Sequence, residues 1–227
     1  MPKHGKKYRA VSAVAPSEEQ SLEDAITFLK ANTTAGFDET MEMGIRVGID
    51  PRKSDNAIRA SVSLPHGTGK TVRIIVFAEG AAADAAREAG ADEVGSEDLI
   101  EKVKGGWTEF DVAIATPDAM KEVRKLGRVL GPRGLMPNPK TGTVTDDTAA
   151  AVGLAQGGKV DFRMDRHGNI SMPFGKSSFD VASLTENAEK VVGAVRAAKP
   201  AGAKGIYIKN ITLSTTMGVG VRTNLRD

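Results

Sequence analysis

Val72-Arg73-Ile74-Ile75-Val76-Phe77-Ala78 is a nearly unbroken apolar run bounded by Thr71 and Glu79. A strand with one wet face alternates apolar and polar residues; a continuous run of this length fits a strand buried on both faces of a parallel sheet. The residues after it have the same texture. A helix-prone segment, Ala82 to Ala89, ends at Gly90, and a short strand at Glu93 to Gly95 leads to a second helix, Asp98 to Lys104, closed by Gly105-Gly106. Another buried strand, Asp111 to Ala115, precedes a helix from Pro117 towards Leu130, and a last helix, Asp147 to Gln156, stops at Gly157-Gly158. Strands alternating with helices of this length predict a small doubly wound α/β unit.

Outward from this unit the pattern changes on both sides. On the N-terminal side, Met1 to Arg9 reads as a basic tail with Lys3, Lys6, Lys7 and Arg9. Leu22 to Asn32 comes next as a helix with Ser21 as N-cap and Asp24 three residues on. Thr40 to Ile49 and Ile58 to Leu64 read as strands, and Pro65-His66-Gly67 punctuates the chain. On the C-terminal side, Lys159 to Arg166 and Asn169 to Phe174 predict a hairpin about His167-Gly168. A helix from Leu184 to Ala198 stops before Pro200, and Gly205 to Thr216 alternates as a strand. Helix–strand–strand at one end and strand–helix–strand at the other predict one discontinuous α+β domain, residues 1–67 plus 159–227. Residues 68–158 would be a Rossmann-like three-layer α/β domain inserted into it, with glycine-bearing hinges near 67 and 159.

Composition narrows the function. No residue is cysteine, which excludes disulfides, thiolate metal sites and cysteine nucleophiles. No apolar run approaches the roughly 18 residues of a membrane span, and the basic start is not succeeded by the apolar stretch of a secretory signal, so the expected compartment is the cytoplasm. The net charge is only +2, but the two flanks together carry +4 and the middle −2, a mild bias towards a polyanionic partner. Aromatics at 4% argue against single-strand binding on a platform of stacked rings.

The motifs that would mark an enzyme are incomplete. Gly67-Thr68-Gly69-Lys70-Thr71 and Gly175-Lys176-Ser177 resemble the end of a phosphate-binding loop. Leu64 and Ile170 stand where the first glycine is needed, and a strand comes after the first of them where the motif needs a helix. Both read better as tight turns with an exposed lysine. Phe77-Ala78-Glu79-Gly80 lacks the glycines of a dinucleotide site and puts an acid where a phosphate would sit. His4, His66 and His167 have no metal-ligand spacing. No serine elbow is present, and Asp50, Asp55, Asp111 and Asp118 are scattered. The expectation is no cofactor, no metal and no catalytic residue. The alternative, a small-molecule or nucleotide-binding enzyme in the α/β domain, would show itself as a nucleotide-induced rise in melting temperature.

Two segments resist a bland account. Leu130 to Val144 holds three prolines and three glycines, which forbids a helix and makes a stiff loop, and from Lys121 to Lys140 six basic residues face one acid, Glu122. The segment is either a structural cap on the α/β domain or a rigid loop presenting Arg133 and Lys140 to phosphates. Ser214-Thr215-Thr216-Met217-Gly218-Val219-Gly220-Val221 puts small hydroxyl residues and glycines at a strand end. Such a surface lets 2′-hydroxyls and base edges of an RNA minor groove approach. Met217 is then an exposed contact; in an ordinary strand and turn it would be buried.

These stretches carry a resemblance over essentially the whole chain. Phe37-Asp38-Glu39-Thr40, Gly48 to Asp55 (GIDPRKSD), Ser63 to Gly67 (SLPHG), Gly127 to Lys140 (GRVLGPRGLMPNPK) and Ser214 to Gly218 (STTMG), with the start MPKHGKKYR, are similar to the L-one family of bacterial large-subunit ribosomal proteins, which sits on the mobile ribosomal stalk. The resemblance implies a discontinuous α+β domain that grips stalk rRNA, with a Rossmann-like domain inserted. It implies an rRNA-binding, non-catalytic protein of the cytoplasmic ribosome that assists release of deacylated tRNA from the exit site and represses translation of its own mRNA. It implies no membrane partner and a monomer when free. The RNA-contact positions that match are Phe37, Thr40, Thr216, Met217 and Gly218, with Lys6, Arg52, Arg166 and Lys176 as basic additions.

Overall fold

Lys6–Val14 forms a helix, α1, where the sequence reads as a tail; no glycine or proline interrupts that span, Pro16 lies just beyond it, and none of its residues is buried. The structure is a computed structural model that describes residues 5–51, 58–200, 202–203 and 205–225. α2 spans Leu22–Ala31 and begins where expected, because the Ser21 hydroxyl oxygen accepts from the Asp24 N–H at 3.1 Å and the hydroxyl donates to the Asp24 carboxylate at 2.6 Å. Strands β1 (Thr40–Val47) and β2 (Arg59–Ser63) come after it. Next come β3 (Ile74–Phe77), α3 (Ala81–Glu88), β4 (Glu93–Gly95), α4 (Glu97–Lys104) and β5 (Val112–Ala115). The chain continues through α5 (Met120–Val123), a 3-10 turn at Arg124–Leu126, α6 (Gly127–Arg133) and α7 (Thr148–Gln156). It closes with β6 (Lys159–Arg163), β7 (Asn169–Lys176), α8 (Val181–Ala197), β8 (Ile208–Thr215) and β9 (Val221–Thr223).

The chain divides into two compact units, Met1–Gly69 with Val160–Asp227, and Lys70–Lys159. In the first, an antiparallel sheet has the order β7-β1-β8-β9, and β2 and β6 form a separate pair. β1 sends Met41, Met43, Ile45 and Val47 inward and Thr40, Glu42, Gly44 and Arg46 outward. α2 contributes Leu22, Ala25, Ile26 and Leu29, and α8 contributes Leu184, Ala188, Val191, Val192 and Val195, to the one core beneath that sheet. Each such buried Leu, Ile or Val side chain is worth about 1.5–3 kcal/mol.

In the second unit, β4-β3-β5 is a parallel sheet. All four residues of β3 are buried, as the unbroken apolar run demands. They alternate between two cores: Ile75 and Phe77 pack with Leu99, Val103, Leu126 and Leu130, while Ile74 and Val76 pack with Ala83, Ala86, Val152 and Ala155. Helices thus line both faces of the sheet.

Besides α1, three details differ from the sequence-based expectation. The helix from Pro117 is broken into α5, the 3-10 turn and α6, and α6 runs on to Arg133 through Pro132. Pro132 leaves the Arg128 carbonyl without its helical donor, and the helix ends one residue later. Gly134, at φ 74, then closes the helix with Leu135 N–H returning to Leu130 O at 3.0 Å and Gly134 N–H to Gly131 O at 3.1 Å. Secondly, the turn at Asp165–Gly168 forms, but β6 and β7 meet only at the Met164–Ile170 bridge, because β6 pairs with β2 and β7 with β1. Thirdly, β9 extends the main sheet beyond β8, past the two-glycine turn where the sequence pattern suggests only a strand end.

Candidate nucleic-acid interface

Register brings the quoted motifs together. In an antiparallel sheet the start of one strand lies beside the ends of its neighbours. Thr40, which opens β1, faces Lys176 at the end of β7, and Met41 faces Thr215 at the end of β8. The segments 37–40, 176–178 and 215–218 therefore share one rim of the sheet, although up to 181 residues of sequence separate them.

Two acids bolt this rim together. Glu39 has no solvent exposure; one carboxylate oxygen accepts from the N–H groups of Thr34 (2.9 Å) and Ala35 (2.8 Å), the other from Met217 N–H (3.0 Å). Burial raises its pKa, but the Thr215 hydroxyl and the Ala35, Met217 and Thr34 amides lower it by more, so it lies below the ordinary value of 4.5. The buried Thr215 Oγ1 completes no hydrogen bond of normal geometry, so its effect on Glu39 is that of an oriented dipole rather than of a full bond. Asp38 accepts from the hydroxyls of Ser177 and Ser178, both at 2.8 Å, and from Ser178 N–H at 3.0 Å. The Ser177 hydroxyl, first, and the Ser178 hydroxyl hold its carboxyl below the ordinary aspartate value.

Thr40 and Thr216 are tied reciprocally: Thr216 N–H donates to Thr40 O at 3.1 Å, and Thr40 N–H to Thr216 Oγ1 at 3.0 Å. Lys176 Nζ reaches Thr40 Oγ1 at 2.9 Å and Asp38 O at 3.4 Å, so this lysine, expected as a phosphate anchor, serves first as a brace, with one ammonium proton left over. Gly218 is required sterically, because a Cβ there would lie 2.2 Å from Thr215 Oγ1.

On this braced rim two large apolar side chains face solvent, Phe37 at 58% and Met217 at 57% exposure. Met217 is therefore exposed and is not the buried methionine of an ordinary strand and turn. The outward residues of β1 continue the surface inward from the rim. Glu42 stands between Ser214 and Pro173, Gly44 between Thr212 and Ser171, and Arg46 between Asn210 and Asn169, all at least partly exposed. Of these, Ser214 lies in the hydroxyl-rich segment that the sequence marks; Ser171, Thr212 and Asn169, and the bracing role of Asp38 and Glu39, escape a reading of the sequence. Alternation alone marks β1 as a strand; only the register of β7 and β8 shows which side chains share its face.

The other expected positions lie elsewhere. Arg166 is in the turn beside Asn169, which pairs with Arg46 at the far end of β1. Roughly 20 Å of strand, at about 3.3 Å per residue, separates it from Thr40. Its neighbour Asp165 holds that turn by accepting from Asn169 N–H and His167 N–H, both at 2.8 Å. Lys6 lies on α1, exposed. Arg52 falls outside the described residues. Gly67 and Gly69, at φ 65 and 69, form turns ahead of β3, and Lys70 pairs with Asp111 at 2.5 Å, so this fragment has neither the helix nor the free lysine of a phosphate loop. Among the described residues no group of three or more His, Asp or Glu is placed to hold a metal ion.

The rim can therefore do one kind of chemistry: present a rigid surface of hydroxyls, backbone and two apolar projections to a partner with polar edges and stacked faces. Known proteins are similar to this chain over nearly its whole length. A protein named large ribosomal subunit protein uL1 from Chlamydia trachomatis serovar D is 54% identical, over 100% of this chain and 98% of its own length. Proteins of the same name from Thermosipho melanesiensis (53%, covering 99% of the chain and 97% of the relative) and Salinispora arenicola (52%, 96% and 92%) are similar throughout. The model of the Ribosomal protein L1p/L10e family matches residues 29–219, a span that contains every residue of the rim. On that match and that degree of identity over the full length, the chain belongs to the Ribosomal protein L1p/L10e family.

Proposed function

We propose that this chain is a structural, non-catalytic constituent of the large ribosomal subunit in the cytoplasm, and that it binds stalk rRNA through the rim at Phe37, Thr40, Thr216, Met217 and Gly218. The observation that carries this is the pair of exposed apolar side chains, Phe37 and Met217, fixed on a hydrogen-bonded frame. One exposed apolar side chain is ordinary on a protein surface, but two held on one rim suit a contact surface. Hydroxyls and glycines around them suit the shape-based recognition of RNA. Lys176, with its spare proton, adds a phosphate contact at the rim; Lys6, Arg52 and Arg166 would contact RNA phosphates beyond it.

The two units serve as two domains, 1–67 plus 159–227 and 68–158, the first holding rRNA and the second carried with it as the stalk moves. Assistance to deacylated tRNA leaving the exit site, and repression of the chain's own mRNA through an RNA that mimics the rRNA site, complete the proposal. The deciding experiment titrates the purified monomer with a stalk rRNA fragment and with a scrambled RNA of equal length, across salt. Preference for the stalk fragment by about a thousandfold or more supports the reading; equal, steeply salt-sensitive binding to both refutes it.

A further inference from the structure

The second unit is charge-segregated along its sequence. Residues 70–118 hold five basic and eleven acidic residues, whereas residues 119–145 hold six basic and one acidic. The structure shows which of those six are already engaged. Lys121 pairs with Asp118 at 3.6 Å, Lys125 with Glu122 at 2.5 Å, and Arg133 bonds the Thr108 hydroxyl. Arg124, Arg128 and Lys140 are exposed, and their side chains have no partner among the described residues. Val123, Leu126 and Leu130 are buried in the same stretch, while Arg124, in the 3-10 turn, and Arg128, in the first turn of α6, both stay on the solvent side of it. Between them stands Gly127, with a helical φ of −54 and nothing within 4 Å of where its Cβ would be. Neither space nor conformation requires glycine there, and glycine weakens a helix. It does leave bare backbone between two guanidinium groups.

We propose that Arg124 and Arg128 form a second RNA-backbone site, on the inserted unit and distinct from the rim, that binds phosphates without reading sequence. Paired guanidinium forks match phosphate oxygens. An acidic protein surface is the lesser fit, since none of the large exposed apolar side chains (Val14, Phe37, Leu154, Ile206 and Met217) belongs to this stretch, so it lacks an anchor for a protein interface. The proposal goes beyond the rim reading and stands or falls separately.

The test uses the full chain, the stalk rRNA fragment and an unrelated structured RNA of equal length, with affinity measured from 50 to 200 mM salt. R124Q/R128Q should keep the melting temperature and lose affinity for both RNAs alike. Two lost phosphate contacts flatten the slope of log K against log salt by about 1.4–1.8. Wild type should therefore lose about tenfold more affinity than the variant over that range. R124K/R128K, which keeps the charge, should restore most of the slope, and K104Q/K190Q, an equal loss of charge elsewhere, should leave it nearly unchanged. If R124Q/R128Q binds both RNAs as wild type does, or K104Q/K190Q flattens the slope equally, the site does not exist. A full chain that binds neither RNA overturns it as well. Failure of the rim reading is separate, since it shows as lost preference for the stalk fragment with this salt slope intact.

Discussion

At the residue scale, the rim is a case of one buried carboxylate organising a binding surface it does not itself touch. Glu39 satisfies three amides from two segments, and only its negative charge accepts them all. Replacing it by glutamine turns an amide NH2 towards donors, which should cost about 1–3 kcal/mol and loosen Phe37 and Met217 together; denaturant unfolding and RNA affinity of E39Q would both fall. The pH dependence has a definite sign. The folded-state pKa lies below the ordinary value of 4.5, so the stabilisation is present above that value and drains away as pH falls through the folded pKa. Wild-type stability should therefore drop more steeply than that of E39Q below about pH 5, and parallel curves would show that Glu39 is no such hub. Met217 makes the complementary case. Its side chain is mostly exposed and its N–H is what Glu39 holds, so M217A should leave the melting temperature within about a degree, a surface-sized effect, while weakening RNA binding at every salt concentration. T216V also removes the Oγ1 that accepts the Thr40 N–H, so it should lower stability as well as RNA binding; wild-type affinity in both variants would remove these residues from the site.

At the element scale, the fold depends on a polar side chain that no sequence pattern marks. Asn187 lies on the inward face of α8 with no exposure, between Leu184 and Val191. Its amide donates to Phe174 O at 2.9 Å and Gly67 O at 3.1 Å and accepts from His66 N–H at 3.1 Å. Phe174 sits at the irregularity where β1 and β7 shift register between Met41 and Glu42, so its carbonyl needs a partner outside the ladder. N187A strands these groups and should destabilise the protein by about 2–4 kcal/mol; a loss under about 1 kcal/mol in urea unfolding would mean that water takes over the bonds. The same helix shows why legibility has limits. Periodicity places α2, β3, β4, α4 and α7 nearly to the residue, because caps and apolar spacing are local signals. It misses the register shift, the pairing of β6 with β2 and the added strand β9, all of which are decided by partners far away in sequence. The rim is half legible for the same reason. The stretch 214–218 stands out by its composition and 37–40 only through the family resemblance, while the bracing role of Asp38 and Glu39, and the outward hydroxyls of Ser171 and Thr212, become visible only through register.

At the scale of the whole molecule, the two units have separate cores, and the points at which the chain leaves and re-enters the first are neighbours. Met164 N–H at the end of β6 donates to Ile58 O at the start of β2 at 3.0 Å. The two paired strands therefore run in opposite directions, and the exit of β2 lies beside the entry of β6. Excising residues 70–159 and joining 69 to 160 through a few glycines should then close without strain, since loop length changes closure entropy only slowly. The joined chain keeps all of the core that holds α2, α8, β1, β7 and β8. It should unfold in one cooperative transition and retain the preference of the full chain for stalk rRNA over scrambled RNA. Without Arg124 and Arg128 its salt slope should be the flatter one, matching R124Q/R128Q. The excised unit, 70–159, holds cores on both faces of its own sheet and should fold alone, binding RNA weakly and without preference. Calorimetry and salt-dependent titration of the two halves decide the matter. If the joined chain folds but loses its preference, recognition needs residues of both units, and the rim at Thr40 and Thr216 is only part of the site.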